Sequence, residues 1–395
     1  MKSKSALTII FITVFIDLMG FGILIPILPT FASKQLQISD FGIGIIVASF
    51  SFMQFVFSPI FGRISDKIGR KPIIVFSLLT TSLAYLWFSF AESFMILLLS
   101  RMLAGFGGSN ISVAQAYIAD VTDETNRAKG MGLIGAAFGL GFVFGPMLGG
   151  ILSQYGYDVV GYASAAFSFI AFLFATFKLK ESLKDEDKSQ NETTYSIFTK
   201  DAIAEVVKNH RLRFIILIYF IIVFSMANIY GTFALLAYKV YKFSDIQIGY
   251  LYGIIGVVGA IIQGGFIKRL SEKFKDEQLV LAGIFFMMIG LTGLPYGITF
   301  GGIAVIGALL AIGSAILQPT ILSMVSKEAD SENQGSILGL NQSVASIARV
   351  LGPLWGGFAF EYIGYQFPFL TGGLFTFVML ITSFYFFNSQ VKKTQ

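Results

Sequence analysis

Two kinds of residue in this chain have the type and placement to do chemistry: isolated ionisable groups inside long apolar runs, and a basic turn punctuated by glycine. Asp17 sits in the middle of the run Phe15-Ile16-Asp17-Leu18-Met19-Gly20. If that run crosses a bilayer, the carboxylate must face water or a partner, and function is its default reading. A carboxylate there can alternate between neutral and charged forms, which is what a proton-coupling site requires. Arg101, in a later run of the same half, is the counter-charge, and it cannot release its own proton. The bland reading is a static Asp17–Arg101 pair bracing two helices. Arg349 is the second isolated cation. It either faces a cavity and attracts an anionic group or snorkels toward a helix end, and the sequence leaves both open.

The turn is Gly62-Arg63-Ile64-Ser65-Asp66-Lys67-Ile68-Gly69-Arg70-Lys71. Its glycines Gly62 and Gly69 allow backbones to come close, Asp66 can cap a helix start or face a helix N-terminus, and Arg70 is placed to pair with Asp120. Such pairs latch one conformation and break in another, so this reads as a gate rather than a binding site. A third pattern is small residues at four-residue spacing: Gly141, Gly145 and Gly149, with Pro146 and Gly150 beside them. In membranes that spacing lets helices pack backbone to backbone, and the proline can kink the helix. The remaining polar groups within apolar runs are candidates to line a substrate cavity: Gln54, Asn110, Gln115, Asn228, Gln263, Gln318 and Asn341, together with Arg349. There is no cysteine and one histidine, His210. Disulfides, thiolate chemistry and multi-histidine metal centres are therefore excluded, and no catalytic constellation is left. The expectation is no enzyme, no metal and no cofactor, the proton being the coupling ion.

These groups are positioned by a chain that is 55% hydrophobic and 13% charged over 395 residues. So few charges cannot cover a water-facing surface of that size, so lipid covers most of it. Apolar runs long enough to span a bilayer lie near 7–29, 42–61, 72–91, 94–118, 131–153, 159–178, 213–236, 247–267, 279–298, 301–325, 337–359 and 366–387. The basic residues set the orientation. With both termini inside, only Lys34, Lys239 and Lys242 fall outside, and Arg101 and Arg349 lie within helices; the rest of the 28 Lys and Arg are cytoplasmic.

The longest polar stretch, 179–212, reads as a cytoplasmic linker between residues 1–178 and 213–395. The halves echo each other. Ile38-Ser39-Asp40-Phe41-Gly42-Ile43-Gly44 returns as Phe243-Ser244-Asp245-Ile246-Gln247-Ile248-Gly249. Arg63-Ile64-Ser65-Asp66-Lys67 returns as Arg269-Leu270-Ser271-Glu272-Lys273, and Gly145-Pro146-Met147-Leu148-Gly149-Gly150 as Gly352-Pro353-Leu354-Trp355-Gly356-Gly357. The expected fold is all-α and integral to the membrane, with 12 helices in two six-helix bundles. Parallel repeats of this kind place a binding site between the halves near mid-bilayer, where rocking exposes it to each side in turn.

At this point the chain resembles the major facilitator superfamily, within it the twelve-helix drug:proton antiporter group, and most of all the tetracycline-efflux-like branch. Gly62–Lys71 matches the superfamily's Gly-x-x-x-Asp-(Arg/Lys)-x-Gly-Arg-(Arg/Lys) loop motif at every fixed position. Leu97–Gly105 resembles the fourth-helix motif, with Ala104 where Gln is common, and Gly141–Gly150 resembles the antiporter signature of the fifth helix. Asp17–Pro29 resembles the first helix of tetracycline pumps. The resemblance runs over essentially the whole chain and is weakest in the linker and the ninth helix. It implies proton coupling at Asp17 and Arg101, a cytoplasmic gate of Asp66, Arg70 and Asp120, and a small-molecule substrate. It also implies a monomer in a bacterial cytoplasmic membrane, with no nucleic-acid partner. Two departures bear on substrate. Tetracycline exporters carry an acid in the third helix where Ala84 stands here, and another in the ninth helix, where this chain has none between 279 and 298. Both point away from metal-chelated tetracycline, toward another amphiphilic compound. A sugar or metabolite symporter or uniporter of the same fold is the alternative.

Overall fold

The computed structural model describes residues 2–183, 200–330 and 333–394; residues 184–199 of the expected linker lie outside it. Among the described residues 12 helices are long and apolar enough to cross a membrane. They are α1 Ser5–Lys34, α2 Asp40–Ile68, α3 Arg70–Phe88, α4 Phe94–Val121, α5 Gly130–Tyr155 and α6 Tyr157–Lys178. The second set is α7 His210–Val240, α8 Asp245–Lys273, α9 Asp276–Tyr296, α10 Phe300–Glu328, α11 Gln334–Tyr362 and α12 Phe367–Ser389. Several run past the apolar stretches that predict them, because helix continues through polar residues at the ends. In α2, for example, helix persists through Arg63-Ile64-Ser65-Asp66-Lys67-Ile68. A short helix, Lys200–Lys208, precedes α7.

The helices gather into two compact units. One contains residues 1–194 and 237–253, the other 195–236 and 254–395. The linker is thus not the whole boundary: the far end of α7 and the first two turns of α8 cluster with the N-terminal helices.

Packing within each unit follows the repeat. In the first unit α1 lies against α5 and α6, and α3 against α4 and α6; in the second α7 lies against α11 and α12, and α9 against α10 and α12. Glycine makes the equivalent seams. A Cβ on Gly145 would stand 2.6 Å from the Cα of Gly22, joining α5 to α1; one on Gly352 would stand 2.7 Å from the backbone nitrogen of Asn228, joining α11 to α7. The loop echo also has a backbone form. Gln37 and Lys242, two residues before Ser39 and Ser244, both take left-handed conformations (φ 51° and 58°). Each serine then caps its helix, Ser39 Oγ accepting from the N–H of Gly42 and Ser244 Oγ from that of Gln247.

Candidate functional site

In the first unit Asp17 is buried, 7% exposed. Its Oδ1 accepts a 2.8 Å hydrogen bond from Ser168 Oγ on α6, and its Oδ2 a long 3.4 Å bond from Asn110 Nδ2 on α4. Asn110 is presented by an interruption: a turn at Gly108–Ser109 breaks α4 into Phe94–Gly107 and Asn110–Val121. The break is stabilised from α2, where Gln54 Nε2 donates to the Gly108 carbonyl at 2.9 Å. Gln54 therefore satisfies a backbone group that the turn leaves open.

Arg101 is as buried as Asp17 but does not pair with it; the sequence expectation of a direct counter-charge is not what the geometry holds. Its Nε and Nη1 have no hydrogen-bond partner among the described residues, and the guanidinium lies 4.7 Å from the centre of the Phe50 ring. Tyr85 of α3, 2% exposed, is within electrostatic reach of both charges. Asp17, Tyr85 and Arg101 thus form one cluster, with Ser168 and Asn110 as neutral donors to the carboxylate. Sequence reasoning missed Tyr85 and Ser168. The signal available was a phenol next to Ala84, which is itself fully buried.

At the turn between α2 and α3 the Arg70 guanidinium meets Asp66 Oδ1 at 2.5 Å and Asp120 Oδ2 at 3.0 Å, and donates to Ser65 Oγ at 2.7 Å. Asp66 does not cap a helix start as expected. It falls in the last turn of α2, three residues before Gly69, where it meets the guanidinium. The cap on α3 is Glu181, which sequence reasoning passed over: its two carboxylate oxygens accept the N–H groups of Arg70 and Lys71 at 2.9 and 3.1 Å. Ser182 Oγ donates to Asp120 at 2.8 Å, so the segment after α6 closes the network. Gly69 needs to be glycine (φ +109°), and a Cβ there would strike the Glu181 carboxylate; a Cβ at Gly62 would meet open space.

On α5, Gly141, Gly145 and Gly149 face α1 at Leu18, Gly22 and Ile23, while Gly150 faces the backbone of Asp245 and Ile246, and Gly249 that of Pro146. One helix therefore uses two adjacent faces, one against α1 and one against α8.

The polar candidates of the second unit separate. Asn228 and Asn341 are fully buried, Asn228 donating to the Pro368 carbonyl and Asn341 finding no partner among the described residues. Gln263 and Gln318 are accessible, as is Gln115 in the first unit. Gln263 lies in a π-helical turn of α8, Ile262–Phe266. Arg349 is half-buried and donates to Ser346 Oγ at 3.0 Å. Among the described residues no group of three or more His, Cys, Asp or Glu is placed to hold a metal ion.

A bundle that keeps a carboxylate, a phenol and a guanidinium inside apolar helices is built like a membrane carrier. The sequence matches the Major Facilitator Superfamily profile over residues 10–353, and again over 269–395, and the chain belongs to that superfamily. Among its relatives, the tetracycline resistance protein of class H from Pasteurella multocida is 30% identical, over 97% of this chain and 96% of its own. Multidrug resistance protein 2 of Bacillus subtilis is 29% identical, over 96% and 94%. The human organic anion transporter MFSD10 (TETRAN) shares the fold: TM-score 0.72 at 23% identity, covering 96% of this chain and 99% of that one. The protein is accordingly a multi-pass transporter of small molecules.

Proposed function

We propose that this transporter is a monomeric, proton-coupled antiporter that exports small amphiphilic compounds by alternating access across a bacterial cytoplasmic membrane, with both termini in the cytoplasm. The observation that carries the reading is Asp17: a carboxylate deep in α1 that, among the described residues, is held by the neutral donors Ser168 and Asn110 and by no cation. A carboxylate in an ion pair with Arg101 would be fixed in its charged form. One held by neutral donors can accept a proton and lose it again. Tyr85 and Arg101 complete the coupling cluster. The Arg70 network is the cytoplasmic gate, since its partners come from three separate places in the chain, and parting any of them breaks charge-assisted bonds.

The substrate class follows from the relatives' names, multidrug and tetracycline resistance, taken with the residues here. With a buried Ala84 in α3 and no acid in the apolar part of α9, the chain lacks carboxylates for a metal-chelated drug. An amphiphilic compound other than tetracycline is the better fit.

The test is flux in proteoliposomes under an imposed pH gradient. Asp17→Asn keeps the size and shape of the side chain but cannot carry the proton. It should abolish gradient-driven export while leaving substrate binding in place. Coupled export by Asp17→Asn at the wild-type rate sinks the mechanism.

A further inference from the structure

The second unit contains one charge far from any helix end, and neither the coupling cluster nor the gate uses it. Every other charged residue of α7–α12 lies near a helix end, whereas Arg349 sits near the middle of the 29-residue α11. At 1.5 Å per residue it is about 20 Å from either end of the helix. No acid among the described residues pairs with it.

Its surroundings are polar and open. Gln342, Ser346 and Arg349 recur at helical spacing along one face of α11, and Ser346 accepts from the guanidinium at 3.0 Å. Tyr219 and Tyr230 of α7 both lie within electrostatic reach of Arg349, and Tyr219 adjoins Gln318 of α10. Tyr219 is buried inside the unit, whereas Tyr230, Gln318 and Gln342 are accessible. An accessible polar strip at mid-span, with an uncompensated cation in it, is costly against hydrocarbon and fits a surface that meets water or a ligand.

We propose that Arg349, with Tyr219, Tyr230, Gln318 and Ser346, is an anion-recognition subsite and that this transporter's substrates are amphiphilic organic anions, an apolar body bearing one carboxylate or sulfonate. The guanidinium is a rigid fork of donors that matches such a group two bonds at a time, which an ammonium does not. The exposed ring of Tyr230 adds flat apolar surface beside the charge, with the buried Tyr219 behind it. The proposal rests on the carrier reading above but not on its proton coupling.

Equilibrium binding to purified protein in nanodiscs, with empty nanodiscs subtracted and no pH gradient, separates the two. The probes are a matched set on one ring system: 1-pyrenebutyrate, 1-pyrenebutanol and 1-pyrenebutylamine. Wild-type protein should bind the carboxylate more tightly than the alcohol by about tenfold, with the amine weakest. Arg349→Gln should lose that preference while binding the alcohol as before, and Arg349→Lys should keep part of it. A wild-type protein that binds the alcohol or the amine as well as the carboxylate overturns the proposal whether or not the variants fold. So does an undiminished preference in folded Arg349→Gln. Failure of gradient-driven flux with the binding preference intact overturns the antiport reading and leaves this one standing.

Discussion

A carboxylate withdrawn from water needs donors, and Asp17 takes them from a serine and an asparagine instead of the arginine in the same unit. Asp17 was legible in the sequence because an acid inside an apolar run has few explanations. Ser168 was not. A serine or threonine in such a helix usually bonds its own preceding turn, as Thr13 does to the Ile9 carbonyl and Thr176 to that of Phe172. Only the packed structure shows which one turns toward a neighbour. Glu181 was hidden for the opposite reason, since it stands in a polar stretch where acids are expected. It gives a test at this scale. Glu181→Ala removes the acceptor for two N–H groups at the start of α3 and should lower stability by about 1 kcal/mol. Gly69→Ala forces a side chain into φ +109° against that same carboxylate and should cost about 1–2 kcal/mol. Thermal unfolding of the purified protein reads both. An unchanged midpoint for Glu181→Ala would mean water caps α3 equally well.

Helix α5 shows what a glycine pattern does and does not say. Besides Gly141, Gly145 and Gly149, the same helix carries Gly132 and Gly135. In the fold only the first three press on α1; a Cβ at Gly132 or Gly135 has nothing within 4 Å. The seam is set by which stretch of α5 meets Gly22, and that depends on α1 as much as on α5. Spacing on one helix cannot reveal it. The contrast is an experiment with its own control. Gly145→Ala places a methyl group 2.6 Å from the Gly22 Cα, backbone that cannot swing aside, and should cost about 1–3 kcal/mol through overpacking. Gly135→Ala, on the same helix, should be neutral or slightly stabilising, because alanine restricts the unfolded chain and meets no obstacle. Unfolding midpoints that fall equally for the two would show that the α1–α5 seam is looser than drawn.

At the scale of the whole chain the repeat was the most legible feature, since three echoes at nearly constant spacing demand two like bundles, and the helix pairings recur accordingly. The compact units were less so, because the seventh and eighth helices are divided between them. The segment Ala237–Gly253 is held to the N-terminal helices by specific bonds. Lys239 Nζ meets Asp40 Oδ1 at 2.5 Å, and Tyr157 donates to Asp245 Oδ2 at 2.8 Å with Lys34 over its ring. Glycine backbone contacts at Gly150 and Gly249 lie alongside. Asp40 and Asp245 occupy equivalent places in the repeat yet have different partners, a lysine and a tyrosine, so no symmetry argument supplies either bond. The alternating access proposed above has this segment part from α1, α2, α5 and α6 once per cycle. Since the chain has no cysteine, Tyr157→Cys with Asp245→Cys can be joined by a bifunctional thiosulfonate that spans the space of the lost tyrosine. Flux should stop on cross-linking and return on reduction, and each single variant treated alike should keep transporting. Undiminished flux through a fully cross-linked protein would mean that the segment moves as one body with the N-terminal helices, and that opening takes place along a different seam.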